Sequence, residues 1–440
     1  MHNNFKKLTL AAAVAAVTFA SQANAGGYQI NEQSVSGQGY GHAGRSSNVN
    51  DATIVFGNPA GMSFLDRAQI TAGGTYLNVS TDIDNATATR NGVPIHSGGT
   101  AEGDIVPGTL VPFVFYAHPV SESLAFGFGV YAPFGSKTEY EDSFIGRNLG
   151  NYTELRVVSA QPTVSYRFNE HWAVGAGITY NRVDGELHRQ APNSPNPLTD
   201  LDARIEGDDE GWGYNLGVIF QPAPETTLGL TYRSKVDYTL SGDFRARATN
   251  DLPAGVLGPG PIPAGTELST RDAQLDLTTP ETVNFSITQQ MADNLKLMAG
   301  ASWTRWSRFD EIRVVDSNNG ELITDEPQSY SNAWAYSLGG EYQLNTQLAL
   351  RAGITLDFTP TSDELRSARI PSDDRRIFSI GAGWSPTDDL TLDFAYSYLT
   401  ERSTQVDQSR PELNAPITST YTADYKNEAH GFGAQLTYRF

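Results

Sequence analysis

The feature that most constrains the fold is an alternation of residue types with a period of two. From Trp172 to Asn181, every second residue is apolar and the residues between them are small or polar. This pattern indicates a β-strand with one apolar face, because successive side chains of a strand point to opposite sides. The alternation recurs in the segments 348–358, 390–398 and 432–440. The chain is therefore predicted to be all-β.

The turns distinguish a membrane barrel from a soluble β-sandwich, whose strands also alternate. Short polar turns are found at 169–171, 222–225, 292–294, 345–347 and 386–389. The longer segments between them are rich in Gly, Pro, Asn and Asp, and short turns on one side with long loops on the other are typical of outer-membrane barrels. Fourteen antiparallel strands are predicted, at approximately 68–81, 105–118, 123–134, 152–168, 171–188, 209–221, 226–245, 271–290, 295–315, 330–344, 347–359, 375–385, 389–402 and 429–440.

An even number of strands allows the barrel to close. The first and last strands can pair, which removes sheet edges whose backbone groups lipid cannot satisfy. Both barrel termini are then expected on the periplasmic side of a bacterial outer membrane. Membrane-spanning helices are excluded, because no apolar stretch beyond the first 25 residues approaches 18 residues.

Composition narrows the classes of partner and function. A net charge of -20 at pH 7 argues against nucleic acid as a partner. The chain has no cysteine, so disulfide bonds and Cys/His zinc sites are excluded. No serine lies in a nucleophile signature such as Gly-x-Ser-x-Gly, so the barrel lipases are a poor match. We expect neither an enzyme nor a cofactor or metal site.

The first 25 residues have the features of a secretory signal. Lys6 and Lys7 precede an apolar stretch from Leu8 to Ala20, and the small-residue sequence Ala23-Asn24-Ala25 follows. A membrane anchor is the alternative, but the apolar stretch is too short for a spanning helix. Residues 1–25 are therefore predicted to be a cleaved signal peptide.

Residues 26–66 do not fit the strand pattern. They are small, polar and rich in glycine, without an alternating segment of membrane length. Eight strands already nearly fill their own barrel, so fourteen leave a wide lumen. We expect residues 26–66 to fold inside it as a plug, with residues 67–440 forming the barrel.

The chain contains a series of distinctive motifs: Gly27-Tyr28-Gln29, Asn31-Glu32, Asn58-Pro59-Ala60, Tyr131 to Gly135, Leu230 to Ser234, Ser302 to Phe309 and Ile370 to Arg375. These motifs resemble those of one family, the FadL/TodX (OMPP1) outer-membrane transporters of long-chain fatty acids and hydrocarbons. The plug segment resembles the hatch of that family, and the four barrel motifs resemble its barrel signatures. They occur in order along essentially the whole chain after the signal.

The resemblance implies passive, monomeric transport of a long-chain fatty acid from outer loops through a lumenal pocket into the outer-membrane lipid. Uptake of aromatic or other hydrocarbons, as in the TodX branch, is the alternative within the family. An open diffusion porin is a third possibility, which the expected plug opposes. The cargo class stays open on sequence alone.

Two motifs are candidates for opening and closing the route. In the family the Asn-Pro-Ala motif belongs to the hatch, which implies a gating role for Asn58, Pro59 and Ala60; a tight turn is the alternative. Pro133 and Gly135 lie near the outer end of the third strand, where proline removes a donor from the sheet. The resemblance implies a kink that opens the barrel wall sideways, whereas the alternative is that Pro133 only ends the strand.

Ligand contacts are predicted in the loops and in the lumen. The fourth outer loop, 247–269, is unusually apolar for a solvent-facing loop and faces a short third loop at 190–208. Its candidate contacts are Leu252, Val256, Leu257 and Ile262. In the lumen, Arg189 and Arg313 match basic positions of the family's pocket, and Tyr28 matches an aromatic one. Arg189 has the inward parity counted from Trp172, whereas the parity of Arg313 is outward unless a bulge intervenes.

Overall fold

The computed structural model describes residues 27–95, 99–256, 259–413 and 416–440. The predicted signal peptide therefore lies outside the described residues. Over these ranges the chain forms one sheet of fourteen long strands, five of which are interrupted. The strands are β1 (Gln69–Arg90), β2 (Thr109–Pro119), β3 (Leu124–Glu139), β4 (Tyr152–Arg167), β5 (Trp172–Ala191), β6 (Leu201–Ala223), β7 (Thr226–Arg233 and Val236–Ala248), β8 (Glu267–Thr279 and Thr282–Ala292), β9 (Leu295–Thr304 and Glu311–Asp316), β10 (Leu322–Pro327 and Ala333–Gln343), β11 (Leu348–Asp357), β12 (Arg375–Trp384), β13 (Leu390–Glu401 and Thr404–Pro411) and β14 (Thr418–Arg439).

The helical elements are all short. The helical elements are α1 (Val35–Gly39), α2 (Ile54–Gly57) and three 3-10 turns at Pro59–Phe64, Pro197–Thr199 and Trp306–Arg308. A two-residue strand, Val93–Pro94, folds back onto β1. Among the described residues, no helix is both long enough and apolar enough to cross a membrane.

The sheet closes on itself. Each strand pairs antiparallel with the next along the chain, and β1 pairs with β14 from Gln69 opposite Arg439 to Arg90 opposite Ser419. The connections at one end are turns of two to five residues, whereas those at the other end have five to eighteen. The predicted fourteen-stranded antiparallel barrel is thereby confirmed, and both ends of the sheet lie on its short-turn side.

An apolar band surrounds the short-turn half of the barrel. On β5 the outward side chains from Trp172 to Tyr180 are apolar, and Ile178 is 56% exposed. The band ends on β6 at Trp212, beyond which the outward residues are charged, as at Asp208 and Glu210. Nine residues of strand match the thickness that lipid requires of a tilted β-strand.

Several strands continue well past this band. β1 extends to Arg90 instead of the predicted 81, β6 begins at Leu201 instead of 209, and β14 begins at Thr418 instead of 429. Above the band the outward positions are polar, so the apolar alternation on which the predictions rested is absent there. The barrel wall therefore projects beyond the lipid on the side of the long loops.

Residues 27–66 lie inside the barrel, against glycines of its wall. A Cβ on Gly229 would be 1.8 Å from the Ser46 carbonyl oxygen, and a Cβ on Gly217 would be 2.0 Å from Asn58 Oδ1. The small inward residues noted in the sequence therefore leave room for this segment. Its role as a plug stays a prediction.

The same segment contacts strands on both sides of the lumen. The 3-10 turn that follows Asn58 packs on β4, β5 and β6, while α1 packs on β12, β13 and β14. The backbone N–H of Val35 donates to Gln435 Oε1 at 2.9 Å, and Gln435 Nε2 donates to Asp51 Oδ2 at 2.9 Å. Val35 and Asp51 of the interior segment are thus hydrogen-bonded to β14.

Candidate functional site

An apolar cavity occupies the barrel above the apolar band. Its empty volume is about 820 Å³, and inward side chains of β4 to β9 form most of its wall, among them Leu155, Leu187, Ile205 and Leu275. These strands project beyond the band, and their inward positions stay apolar there. We call this space the inner cavity; its lining suits an apolar ligand.

The ring of Tyr28 lines the inner cavity and is only 1% exposed. It packs edge-on against Trp306 and Phe309, with ring centroids 4.7 and 5.2 Å away. Its hydroxyl donates to the Thr278 carbonyl at 3.4 Å. The preceding Gly27 has φ 72°, and a Cβ there would lie 2.6 Å from the Trp306 ring, so only glycine fits. Tyr28 is thereby fixed in the wall of the inner cavity, and its contact with a ligand stays a prediction.

A second cavity, the outer cavity, lies at the mouth of the barrel. It has an empty volume of about 1030 Å³ and shares Leu187, Ile205 and Arg369 with the inner cavity. Phe244 and Ile323 add apolar surface to its wall. The two cavities therefore share part of their wall.

Arg189 lines the outer cavity and is held by a carboxylate. Its Nη1 and Nη2 donate to the two carboxylate oxygens of Glu412, both at 2.9 Å. Nη1 also donates to the Asn148 carbonyl at 3.3 Å. Burial and the nearby Arg410 lower the pKa of Arg189, whereas Glu412 opposes that shift. The guanidinium still remains protonated at neutral pH.

Glu326 lies beside this pair, between two arginines. Arg369 Nε is 2.8 Å and Arg410 Nη1 is 2.5 Å from its carboxylate oxygens. Burial alone would raise the pKa of Glu326, but the two guanidinium groups outweigh it and lower the pKa to about 2. All of these charges lie past the outer end of the apolar band.

β3 separates from β2 partway along the wall. The pairing of the two strands ends at Val114 opposite Val130. The register between β3 and β4 then shifts between Tyr131 and Phe134, as in a β-bulge, and Pro133 lies within it. Since β3 continues to its end six residues later, the alternative that Pro133 only ends the strand is wrong.

The first described residues pair with the edge of β3 at this bulge. The N–H of Ile30 donates to the Pro133 carbonyl at 2.9 Å, and the N–H of Gly135 donates to the Tyr28 carbonyl at 2.8 Å. The Ile30 side chain packs with Val111 of β2, at the separation of the two strands. Residues 28–30 therefore stand between the inner cavity and the place where β2 and β3 part.

The Asn58-Pro59-Ala60 motif connects the interior segment to the wall. Asn58 Nδ2 donates to the Val218 carbonyl of β6 at 2.9 Å, and its Oδ1 accepts from the Ala60 N–H at 3.0 Å. The Ala60 carbonyl accepts from Ser165 Oγ of β4 at 2.9 Å. Pro59 is the first residue of the 3-10 turn. These contacts give the motif an anchoring position, and its gating role stays a prediction.

Arg313 does not reach the cavities. Its neighbours Ile312 and Val314 are buried, while Arg313 points outward, is 52% exposed in its side chain and lies 4.0 Å from Asp325. The interruption of β9 before Glu311 does not invert the side-chain alternation. The structure therefore places only one of the two predicted arginines, Arg189, in a cavity.

The predicted loop contacts are dispersed. Leu252 is buried and pairs with Ile262 inside its own loop, with N–H···O distances of 2.8 and 2.9 Å, while Val256 is exposed. Leu257 lies outside the described residues. The facing loop is 192–200 and is shorter than predicted, because β5 and β6 extend further. The structure does not bring these residues together around one groove.

Four charged residues that line the outer cavity were not predicted: Arg271, Glu326, Arg369 and Glu412. Arg410, which pairs with Glu326, was not predicted either. They lie in loops or in strand ends above the lipid band, where alternation gives no indication of direction. The one available signal was that Arg369 directly precedes the Ile370 to Arg375 motif. In the described part of the chain, no group of three or more His, Cys, Asp or Glu side chains could hold a metal ion.

Known sequences resemble this chain over almost its full length. A family model described as outer membrane protein transport protein (OMPP1/FadL/TodX) matches residues 16–440. Outer membrane protein P1 of Haemophilus influenzae is 30% identical, over 97% of this chain and 98% of the relative. A long-chain fatty acid transport protein of Salmonella typhi is 28% identical, over 99% of both chains.

Solved structures show the same fold. A Pseudomonas aeruginosa FadL homologue superposes with a TM-score of 0.83 at 23% identity, covering 94% of this chain and 99% of its own. The Pseudomonas putida toluene transporter TodX superposes with a TM-score of 0.63 at 18% identity, covering 92% and 99%.

Proposed function

Because the chain belongs to the OMPP1/FadL/TodX family of outer membrane transport proteins, we propose that it carries long-chain fatty acids passively across the bacterial outer membrane. The family consists of outer-membrane channels for hydrophobic substrates, not of enzymes. Relatives named for long-chain fatty acid transport span the whole chain. We infer that it acts as a monomer, driven by the ligand gradient alone.

The observation that carries the proposal is the combination of a buried arginine with adjoining apolar space. Arg189 offers a guanidinium, which binds a carboxylate in a bidentate manner. The inner cavity is lined largely by aliphatic and aromatic side chains, and the outer cavity adds apolar surface at Phe244 and Ile323 beside its charged residues. Each buried methylene contributes about 0.8 kcal/mol, so an acyl chain gains strongly from such a lining. Cation and apolar wall together match a fatty acid.

Capture is proposed to begin at the outer loops. Val256 and Leu198 are exposed apolar residues on the two loops that flank the outer cavity. The loops are joined by a hydrogen bond from Asn250 Nδ2 to the Leu198 carbonyl at 3.2 Å. Leu252 and Ile262 support this surface from within the loop. A ligand that adsorbs here is next to the charged mouth of the barrel.

The interior segment is proposed to act as the hatch. Asn58, Pro59 and Ala60 anchor it to β4 and β6, while residues 28–30 form its other end at β3. A shift of residues 28–30 away from β3 would connect the inner cavity with the separation between β2 and β3. Gating therefore requires only a local movement, with the motif at Asn58 as the fixed end.

Release is proposed to occur sideways, through the wall at β3. Pro133 and Gly135 keep β3 apart from β2 at the outer part of the apolar band. A long acyl chain that leaves here enters lipid directly and avoids the free-energy cost of an aqueous step. Tyr28 is the aromatic contact that the ligand passes before it leaves.

Uptake of aromatic hydrocarbons is the second candidate. Tyr28, Trp306 and Phe309 form an aromatic cluster at the inner cavity, to which a ring compound could bind without any head group. The presence of Arg189 at the mouth favours the fatty acid, because only an anionic ligand can form a bidentate ion pair with the guanidinium.

Uptake assays distinguish the two cargo classes. Cells without their own transporter, expressing this protein at a verified surface level, are given labelled oleate or labelled toluene. We expect oleate uptake above the empty-vector control. Toluene uptake alone would move the assignment to the hydrocarbon class, and uptake of neither would contradict both cargoes.

A matched pair of arginine variants tests the head-group role. Arg189→Gln should reduce oleate uptake at limiting ligand by about tenfold, the effect of losing one charge-assisted contact. Arg313→Gln removes the same charge from an outward position and should leave uptake unchanged. Equal effects of the two variants would show that the loss is not specific to the cavity.

A further inference from the structure

The loop between β13 and β14 places a carboxylate inside the mouth of the barrel. Glu412 directly follows β13, and its N–H donates to the Ile417 carbonyl at 2.8 Å, which closes the loop. Its side chain is only 5% exposed and reaches Arg189 on β5, on a different part of the wall. The adjacent Leu413 is 51% exposed and lines the outer cavity. This loop therefore presents a carboxylate next to an apolar group.

The charges around Glu412 do not balance. Three guanidinium groups, of Arg189, Arg369 and Arg410, face two carboxylates, of Glu326 and Glu412. Within this cluster, three positive and two negative charges leave a net charge of +1; Arg271, which also lines the outer cavity, is paired separately with Glu321 at 3.2 Å. Glu326 is shared between two arginines, whereas Glu412 serves Arg189 alone. Arg189 is therefore the group whose partner can be exchanged without disturbing the other ion pairs.

We propose that Glu412 is an internal substitute for the ligand's carboxylate, and that a fatty acid must displace it from Arg189 in order to bind. The inference rests on the proposed function and assigns Glu412 a role in specificity. An anionic ligand replaces one carboxylate by another, so the guanidinium stays paired throughout. A neutral ligand has no carboxylate to exchange for that of Glu412, so the ion pair between Arg189 and Glu412 stays intact.

The exchange of carboxylates on Arg189 also couples ligand binding to the width of the outer cavity. When Glu412 leaves Arg189, Leu413 moves with it because the two residues are adjacent. The outer cavity is then wider while it holds an anionic ligand than while it is empty. Entry is thereby selective for molecules that carry both a carboxylate and an apolar tail.

Glu412→Gln tests this directly, because it removes the competing charge with little change in size. Binding of oleate and of the neutral oleyl alcohol is measured on the purified full-length barrel in detergent. We expect oleate to bind about tenfold more tightly to Glu412→Gln, since its carboxylate no longer competes. Binding of oleyl alcohol should be unchanged. Combining Glu412→Gln with Arg189→Gln should abolish the gain.

Controls separate a lost competitor from a damaged fold. Glu267→Gln alters an exposed rim carboxylate 3.5 Å from Arg247 and should leave both affinities unchanged. The heat-dependent gel shift of folded barrels verifies that each variant is assembled. Unchanged or weaker oleate binding by assembled Glu412→Gln would overturn the proposal, as would an equal gain for the alcohol. If no variant binds oleate, the proposed function fails with it.

Discussion

At the residue scale, the buried carboxylate of Glu326 makes the stability of the barrel mouth dependent on pH. Its pKa is lowered to about 2 from the ordinary 4.5, so its ion pairs stabilise the folded state fully above pH 4.5. This contribution is lost as the pH falls from 4.5 towards 2. At pH 7, Glu326→Gln should cost about 3–5 kcal/mol, the loss seen when one partner of a buried pair is removed.

Denaturant unfolding of the two proteins at a series of pH values measures this contribution. The difference in the free energy of unfolding between wild type and Glu326→Gln should shrink below pH 4.5. Other acidic groups titrate in both proteins and cancel in the difference. A difference that stays constant from pH 7 to pH 2 would contradict the ionised, arginine-paired state of Glu326.

The sequence predicted the positions of individual site residues with unequal success. Arg189 was placed inward by counting from Trp172, because β5 runs without interruption between them. Arg313 matched a family position but has outward parity, and the parity proved decisive. The partner of Arg189 was unpredictable, because Glu412 lies 223 residues away and contacts it only through the folded loop.

At the element scale, the pairing of the first described residues with β3 can be fixed covalently. Gln29 and Phe134 are bridge partners flanked by two backbone hydrogen bonds, so their side chains are close enough for a disulfide bond. We expect oxidised Gln29→Cys/Phe134→Cys to lose oleate uptake, because residues 28–30 can no longer leave β3. Reduction should restore it.

Because the protein has no native cysteine, the two introduced thiols can form an intramolecular disulfide bond only with each other. Each single cysteine variant provides the control for the loss of its side chain, because neither can form the intramolecular bond. Undiminished uptake by the fully cross-linked protein would show that residues 28–30 need not move.

Strand boundaries were predictable where contact with lipid imposes an alternation of apolar and polar residues. Inside the apolar band, the starts of β5 and β13 and the end of β12 agree with the prediction to within a residue. Above the band the outward face of the wall is polar, so the apolar alternation ends, and strand ends there were missed by up to eleven residues, as at Thr418. The break in β3 was indicated by Pro133, whereas the residues that pair with it could come only from tertiary structure.

At the scale of the whole molecule, the filled lumen predicts a low ionic conductance. Fourteen strands enclose more space than their own side chains fill, and residues 27–66 occupy the part inside the apolar band. In planar bilayers we expect the wild-type protein to show no large, steady single-channel conductance. A variant lacking residues 35–64 should conduct readily, provided that its gel shift shows a folded barrel.

A porin-like conductance of the wild type would revive the open diffusion channel. Closure of the sheet itself followed from the even strand count, and the need for a filling segment followed from the width of the barrel. The position of that segment inside the barrel could not be predicted. It depends on contacts between individual wall glycines and carbonyl groups of the segment, which form only in the folded barrel.

The bond between Val35 and Gln435 also sets an order of events during assembly. The interior segment needs β14 as part of its seat, and β14 is the last strand to be made. Contacts separated by 400 residues form late, because the chain between them must first be ordered. We therefore expect the interior segment, although it is synthesised early, to reach its final position only when β14 has joined the sheet.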